Sequence, residues 1–133
     1  DWLDSVLDST DGKGADVLID MLSGDFVNKN MEATKINGYL INIGRLAGMN
    51  GNFNYDLHAK RRLHYVGTTG RTRSIEENLK VAKVANNDLW KYVINGKIRH
   101  VIFKTFSLDD ANFALNLMNE NKHFGKLVLL TNQ

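Results

Sequence analysis

Short apolar runs rich in β-branched residues alternate along this chain with stretches of helical periodicity, and that alternation admits few folds. Leu3, Val6 and Leu7 fall at i, i+3 and i+4, a helical stripe. Val17-Leu18-Ile19 is continuously apolar, the mark of a strand covered on both faces. Further strands centre on Leu40 to Ile43, Tyr65-Val66, Arg99 to Thr105 and Leu127 to Leu130. Between them the spacing predicts a helix over roughly 26–36, capped by Asp25 and ended by Asn37-Gly38, and a short one near 54–61. Ser74 and Ser107 each open a capping-box pattern, with Glu77 and Asp110 three residues on. The order α-β-α-β-α-β-α-β-α-β implies an α/β fold with parallel strands and right-handed crossovers.

At 133 residues the chain is one domain's worth, long enough for a real core. No apolar run approaches the length of about 18 residues that a membrane-spanning helix needs. A net charge of +2, with Lys60-Arg61-Arg62 as the one basic run, is too small and too evenly spread to point to nucleic acid. Neither a nucleic-acid nor a membrane partner is expected. Zero cysteines exclude disulfides, thiolate metal sites and a cysteine nucleophile, and suit a cytoplasmic protein. Asp1 opens what reads as a helix, so the chain is expected to be cut from a longer protein.

The three N-terminal strands each run into a turn bearing glycine and small or polar residues. In open parallel sheets that edge binds ligands. Ile43-Gly44 and Val66-Gly67-Thr68-Thr69-Gly70 combine close backbone approach with amides and hydroxyls that suit a flat heteroaromatic ring carrying a carboxamide. Arg45, Arg71 and Arg73 stand nearby as phosphate partners. The same glycines equally suit tight turns, and the same arginines a solvated surface. No G-x-G-x-x-G, G-x-S-x-G or G-x-x-x-x-G-K-[ST] occurs. The residues four after Tyr39, Tyr55, Tyr65 and Tyr92 are Ile43, Ala59, Thr69 and Gly96, which excludes Tyr-x-x-x-Lys proton transfer. His58, His64, His100 and His123 make no metal-ligand spacing, so no metal is expected. No catalytic residue is identified.

Gly14-Ala-Asp-Val-Leu-Ile-Asp-Met-Leu-Ser-Gly24 resembles the "GADVVIDxVGG" strand of the medium-chain dehydrogenase/reductase superfamily. Gly38-Tyr-Leu-Ile-Asn-Ile-Gly44 is similar to its "GGRxVxIG" strand, and Lys60 to Gly67 to its third pattern. Trp90 to Ile98, Val101-Ile102, Phe106 to Ala111 and His123 to Leu129 follow its C-terminal pattern in order. The branch most resembled is the zinc-free NADPH:quinone oxidoreductase (zeta-crystallin-like) group. Two departures stand out: Arg99-His100-Val101 lacks the usual proline, and Asn42 interrupts a normally apolar strand, where it needs a partner or a cavity.

The resemblance implies a two-domain enzyme that passes hydride from NADPH to a quinone or another activated carbonyl or alkene. Residues 1–97 would be the second half of the Rossmann-type, dinucleotide-binding sheet, and 98–133 a strand–helix–strand of the catalytic domain. Matched by motif, the nicotinamide contacts would be Ile43, Gly44, Arg45 and Leu46 after one strand and Thr68, Thr69 and Gly70 after the next. Met21, Leu22 and Lys126 would lie near the cofactor as well. Relatives of this type pair as homodimers through a sheet edge, here near the third strand and Val101–Phe106. The alternative is a non-catalytic module that folds and dimerises but binds no nucleotide alone, because the pyrophosphate turn is missing; the isolated piece is expected to be inactive.

Overall fold

The computed structural model describes residues 1–131. Helices and strands alternate in the expected order: α1 (Trp2–Ser9), β1 (Ala15–Asp20), α2 (Val27–Ala33), β2 (Thr34–Asn42), α3 (Tyr55–Arg61), β3 (His64–Gly67), α4 (Ile75–Ile94), β4 (Ile102–Ser107), α5 (Ala111–Asn119) and β5 (Lys126–Leu130). The chain divides into two compact units, parting between Ser74 and Ile75. Among the described residues, no helix is long and apolar enough to cross a membrane.

The first unit is a parallel sheet in the order β1-β2-β3. Register puts Leu18 opposite Leu40 and Asp20 opposite Asn42, on the face that α2 covers. Val27, Met31, Leu40 and Leu63 form the core there, with Leu18, Phe53 and Leu57 packed against it. Met31 and Leu40 are fully buried, each contributing about 1.5–3 kcal/mol of transfer free energy. On the opposite face Val17 and Ile19 stay half-exposed. The expectation of cover on both faces of β1 is therefore met on one: the core of this unit lies wholly on the Leu40 side.

Two local expectations fail. Asp25 does not cap α2. It sits inside a 3-10 turn, Gly24–Phe26, and α2 begins after it without a side-chain cap. Nor does α2 reach Asn37-Gly38. It ends at Ala33, and β2 starts at once, because the Thr34 hydroxyl donates to Asn30 O at 2.7 Å and the chain turns extended. Asn37, at φ +62°, marks an irregularity inside β2 instead, where the β1 pairing jumps from Thr34 to Tyr39.

The second unit pairs β4 with β5 in parallel, Ile102 opposite Lys126 and Phe106 opposite Leu129. α5 makes the crossover, and the Ser107 hydroxyl accepts from Asp109 N at 3.2 Å at the entry to it. Phe106 and Ala114 are buried, and the Phe106 and Phe113 rings lie 5.9 Å apart. No residue of α4 is buried. On α5, Leu115 and Met118 remain half-exposed, and Ala114 takes the buried place. Gly125 precedes β5 at φ +108°, and a Cβ there would collide with Val101 O, so only glycine fits.

Candidate nucleotide-binding edge of the first sheet

Parallel strands bring the C-terminal ends of β1, β2 and β3 to one edge. The chain continues from each as Met21-Leu22, Ile43 to Leu46 and Thr68 to Gly70. A cleft of about 620 Å³ opens between the last two turns, lined by Ile43, Gly44, Arg45, Leu46, Met49, Thr69, Gly70 and Arg71. Met21 and Leu22 line a neighbouring hollow of about 550 Å³ with Trp2, Phe26 and Leu46. Thr68 lines neither. Its amide and hydroxyl both donate to Asn42 O, at 2.9 and 3.2 Å. Lys126 belongs to the second unit, opposite Ile102 at the start of β5.

Hydrogen bonding decides which backbone groups at this edge remain for a ligand. Ile43 N and Gly44 N both donate to Asp20 O, at 2.8 and 3.2 Å. Gly44 O accepts from the Ser23 hydroxyl at 2.9 Å and from Asn42 Nδ2 at 3.0 Å. The Ile43 carbonyl and the amides of Arg45, Thr69 and Gly70 have no partner among the described residues. Arg71 N donates to the Thr69 hydroxyl at 3.2 Å, which tightens that turn. Gly44 itself is required by close approach: a Cβ would stand 2.6 Å from Met21 O.

Beneath the edge lies a polar cluster. Asp20, Ser23 and Asn42 are all buried. Asp20 Oδ1 accepts from Leu22 N and Ser23 N, each at 2.9 Å, and Oδ2 faces the Ser23 hydroxyl at 3.3 Å. Asn42 Nδ2 donates to Ser23 Oγ and reaches Asp20 Oδ2 at 3.4 Å. A buried carboxylate without a cation is tolerable only when its oxygens are taken up in this way. Asn42, the polar residue in an apolar strand, thus has its partners. Ser23 and Asp20 escaped sequence reasoning; the only signal was an aspartate at a strand end followed by small residues. Met49 also escaped, inside a Gly/Asn-rich loop with no periodicity.

A smaller cavity of about 170 Å³ is lined by Ser23, Asn42, Arg45, Asn50 and Tyr65 among others. Partial burial pushes the Tyr65 phenol up from its ordinary value, the Asp20 charge adds to this, and Arg45 opposes it. Tyr65 therefore stays a neutral hydroxyl at physiological pH. The donors needed to hold a metal are not assembled among the described residues.

The edge is glycine-lined and presents free amides, one carbonyl, a hydroxyl and two guanidinium groups. Residues 1–129 match the family model described as zinc-binding dehydrogenase. One component of the phenolphthiocerol/phthiocerol polyketide synthase of Mycobacterium tuberculosis is 27% identical over 97% of this chain and 6% of its own. A quinone oxidoreductase-like protein 2 homolog of Nematostella vectensis is 28% identical over 98% of this chain and 36% of its own. The chain thus spans well under half of either relative. A solved NAD-dependent alcohol dehydrogenase superposes over 99% of this chain and 36% of its own, with TM-score 0.75 and 23% identity, a likeness of fold. The parallel-stranded α/β architecture and the match along nearly the whole chain place it in the zinc-binding dehydrogenase family, within the medium-chain dehydrogenase/reductase superfamily.

Proposed function

We propose that the cleft between the β2 and β3 turns holds the nicotinamide half of NADPH, in an enzyme passing hydride to a quinone or another activated carbonyl or alkene. The observation that carries this is the cleft itself, which gathers Ile43, Gly44, Arg45, Leu46, Thr69 and Gly70 from two separate turns. A nicotinamide carboxamide suits the free Ile43 carbonyl and the Thr69 and Gly70 amides. The guanidinium groups of Arg45 and Arg71 suit a phosphate. Met21 and Leu22 form an apolar wall nearby, and Thr68 acts as a brace of the turn. When bound, NADPH supplies the hydride. The chain's own residues hold the ring at a fixed angle and keep water from it. The name of the Nematostella relative supports the quinone acceptor.

Residues 98–133, Lys126 included, belong in this proposal to the catalytic domain, and the protein pairs through a sheet edge. Titrating the full-length protein with NADPH, followed by nicotinamide fluorescence, tests the site. Replacing Arg45 and Arg71 together by alanine should weaken binding roughly tenfold or more, as loss of charge-assisted hydrogen bonds does. Unchanged affinity would sink the assignment.

A second reading has its own observation. β1 is the outer strand of its sheet, with no further strand beside it among the described residues. No pyrophosphate-binding turn of the G-x-G-x-x-G type occurs in the sequence. In this reading the 133-residue chain alone is a folding and dimerisation module without nucleotide affinity. Calorimetry of that chain with NADPH discriminates: micromolar binding would refute it. Sedimentation at two protein concentrations checks the pairing.

A further inference from the structure

We infer that Asn42 is a positioning residue whose side chain locks the β2 turn to the β1 turn, and so fixes the β2 wall of the cleft through groups no ligand touches. The inference rests on the reading of that cleft as a nicotinamide site. Its structural core stands on bonds already in place.

Asn42 works in two directions. Its carboxamide donates to Ser23 Oγ, to Gly44 O at 3.0 Å and, more weakly, toward Asp20 Oδ2 at 3.4 Å. Its backbone carbonyl accepts both the amide and the hydroxyl of Thr68. The side chain therefore joins the β1 and β2 turns, and the link to β3 is a main-chain acceptor that any residue here would supply. The side chain that receives its amide is itself constrained. Ser23 holds φ +57°, where a non-glycine residue is strained, and it bridges to Gly48 in the following loop. Leu46 N and Ala47 N donate to Met21 O and Leu22 O, at 3.1 and 2.9 Å, which zips the rest of that loop to the β1 turn.

The consequence is selective. The Ser23 and Asn42 side chains occupy Gly44 O, the Asp20 backbone carbonyl occupies Ile43 N and Gly44 N, and the Ile43 carbonyl and Arg45 amide are left without a partner among the described residues. An apolar residue at this position would remove one of the two donors to Gly44 O and the donor to Ser23 Oγ, and leave the β2 turn held to β1 by main-chain bonds and the Ser23 hydroxyl alone. Polar networks of this kind rigidify when fully satisfied and loosen when one member is lost. None of Asp20, Ser23 and Asn42 lines the cleft itself; Ser23 and Asn42 line the small adjoining cavity, and Asp20 the hollow beside Met21 and Leu22.

Hydrogen exchange of the full-length protein without any nucleotide, comparing parent, Asn42→Leu and Ser23→Gly, reads the lock directly. Ser23→Gly relieves the backbone strain and removes the hydroxymethyl group that Asn42 donates to, so it decides the matter if Asn42→Leu fails to fold. The lock requires exchange at Gly44 N and Leu46 N to quicken in Asn42→Leu, by roughly tenfold or more, with Leu40 unchanged and Thr68 N, held by the main-chain carbonyl of residue 42, still slow. In Ser23→Gly, Gly44 N quickens while the strand core does not. Unchanged exchange at Gly44 and Leu46 overturns the inference. So does quickening in Asn42→Leu that reaches Leu40 as strongly as Gly44. A parallel NADPH titration should show the folded variants binding with about tenfold lower affinity and an altered nicotinamide emission. A parent that binds no NADPH refutes the cofactor reading and leaves the exchange result to judge the lock.

Discussion

At the ends of β1 and β2 in the first unit, Asp20 and Asn42 are buried and hydrogen-bonded to each other's turns. At the ends of β4 and β5 in the second unit there is no such pair; Ser107 caps the turn into α5, and the buried side chains are Phe106 and Ala114. Every buried polar side chain among the described residues lies in the first unit. Both units obey the same parallel strand–helix–strand rule. The difference shows where conformational precision is concentrated. Apolar contact holds elements together but tolerates small shifts, whereas a satisfied polar cluster specifies one arrangement.

The largest test of this contrast is truncation of the two cores. Leu40→Ala should cost about 3 kcal/mol, and Phe106→Ala a similar amount, as large-to-small core changes do. Trp2 lies in the first unit and Trp90 in the second, so their separate fluorescence reports each loss during chemical denaturation. A Leu40→Ala chain that unfolds like the parent by the Trp2 signal would break the claim that this core organises the first unit.

A smaller effect separates buried polar chemistry from surface capping. Asp20→Ala strands Leu22 N and Ser23 N without their acceptor and should cost about 2 kcal/mol, near the upper range for a lost buried acceptor. Ser107→Ala removes one exposed cap and should cost about 1 kcal/mol. Denaturation midpoints measured side by side settle the order; equal costs would mean that the cluster is no more specific than a cap.

The smallest effect is seen only in alkali. The folded-state value of Tyr65 is raised, so the unfolded chain loses its phenol proton first as pH increases. The stability present below the ordinary tyrosine range is therefore lost on going above it. Tyr65→Phe should flatten the alkaline limb of a stability–pH curve and leave the neutral region unchanged. A limb of the same slope would remove the burial argument for this residue.

Much of this was legible in the residues. The strand ends announced themselves because a β-branched run broken by a glycine is the pattern of a strand entering a tight turn, and Asn42 stood out as polar in an apolar strand. The expected cap at Asp25 failed because Gly24, at φ +56°, starts a 3-10 turn one residue too early. The expected end of α2 failed because Asn37-Gly38 reads the same at a helix end as at an irregular strand position. Thr68 and Thr69 look equivalent in sequence. One braces Asn42 and the other lines the cleft.

The sequence by itself determined the alternation of strands and helices, the glycines at their ends and the family, because periodicity and motif order are local properties. Only the tertiary structure decided which backbone groups at the strand ends are paired and which stay open. Asp20 and Asn42 are partners through strand register, and register is a long-range choice. That pairing occupies the amides of Ile43 and Gly44 and leaves those of Arg45, Thr69 and Gly70 open.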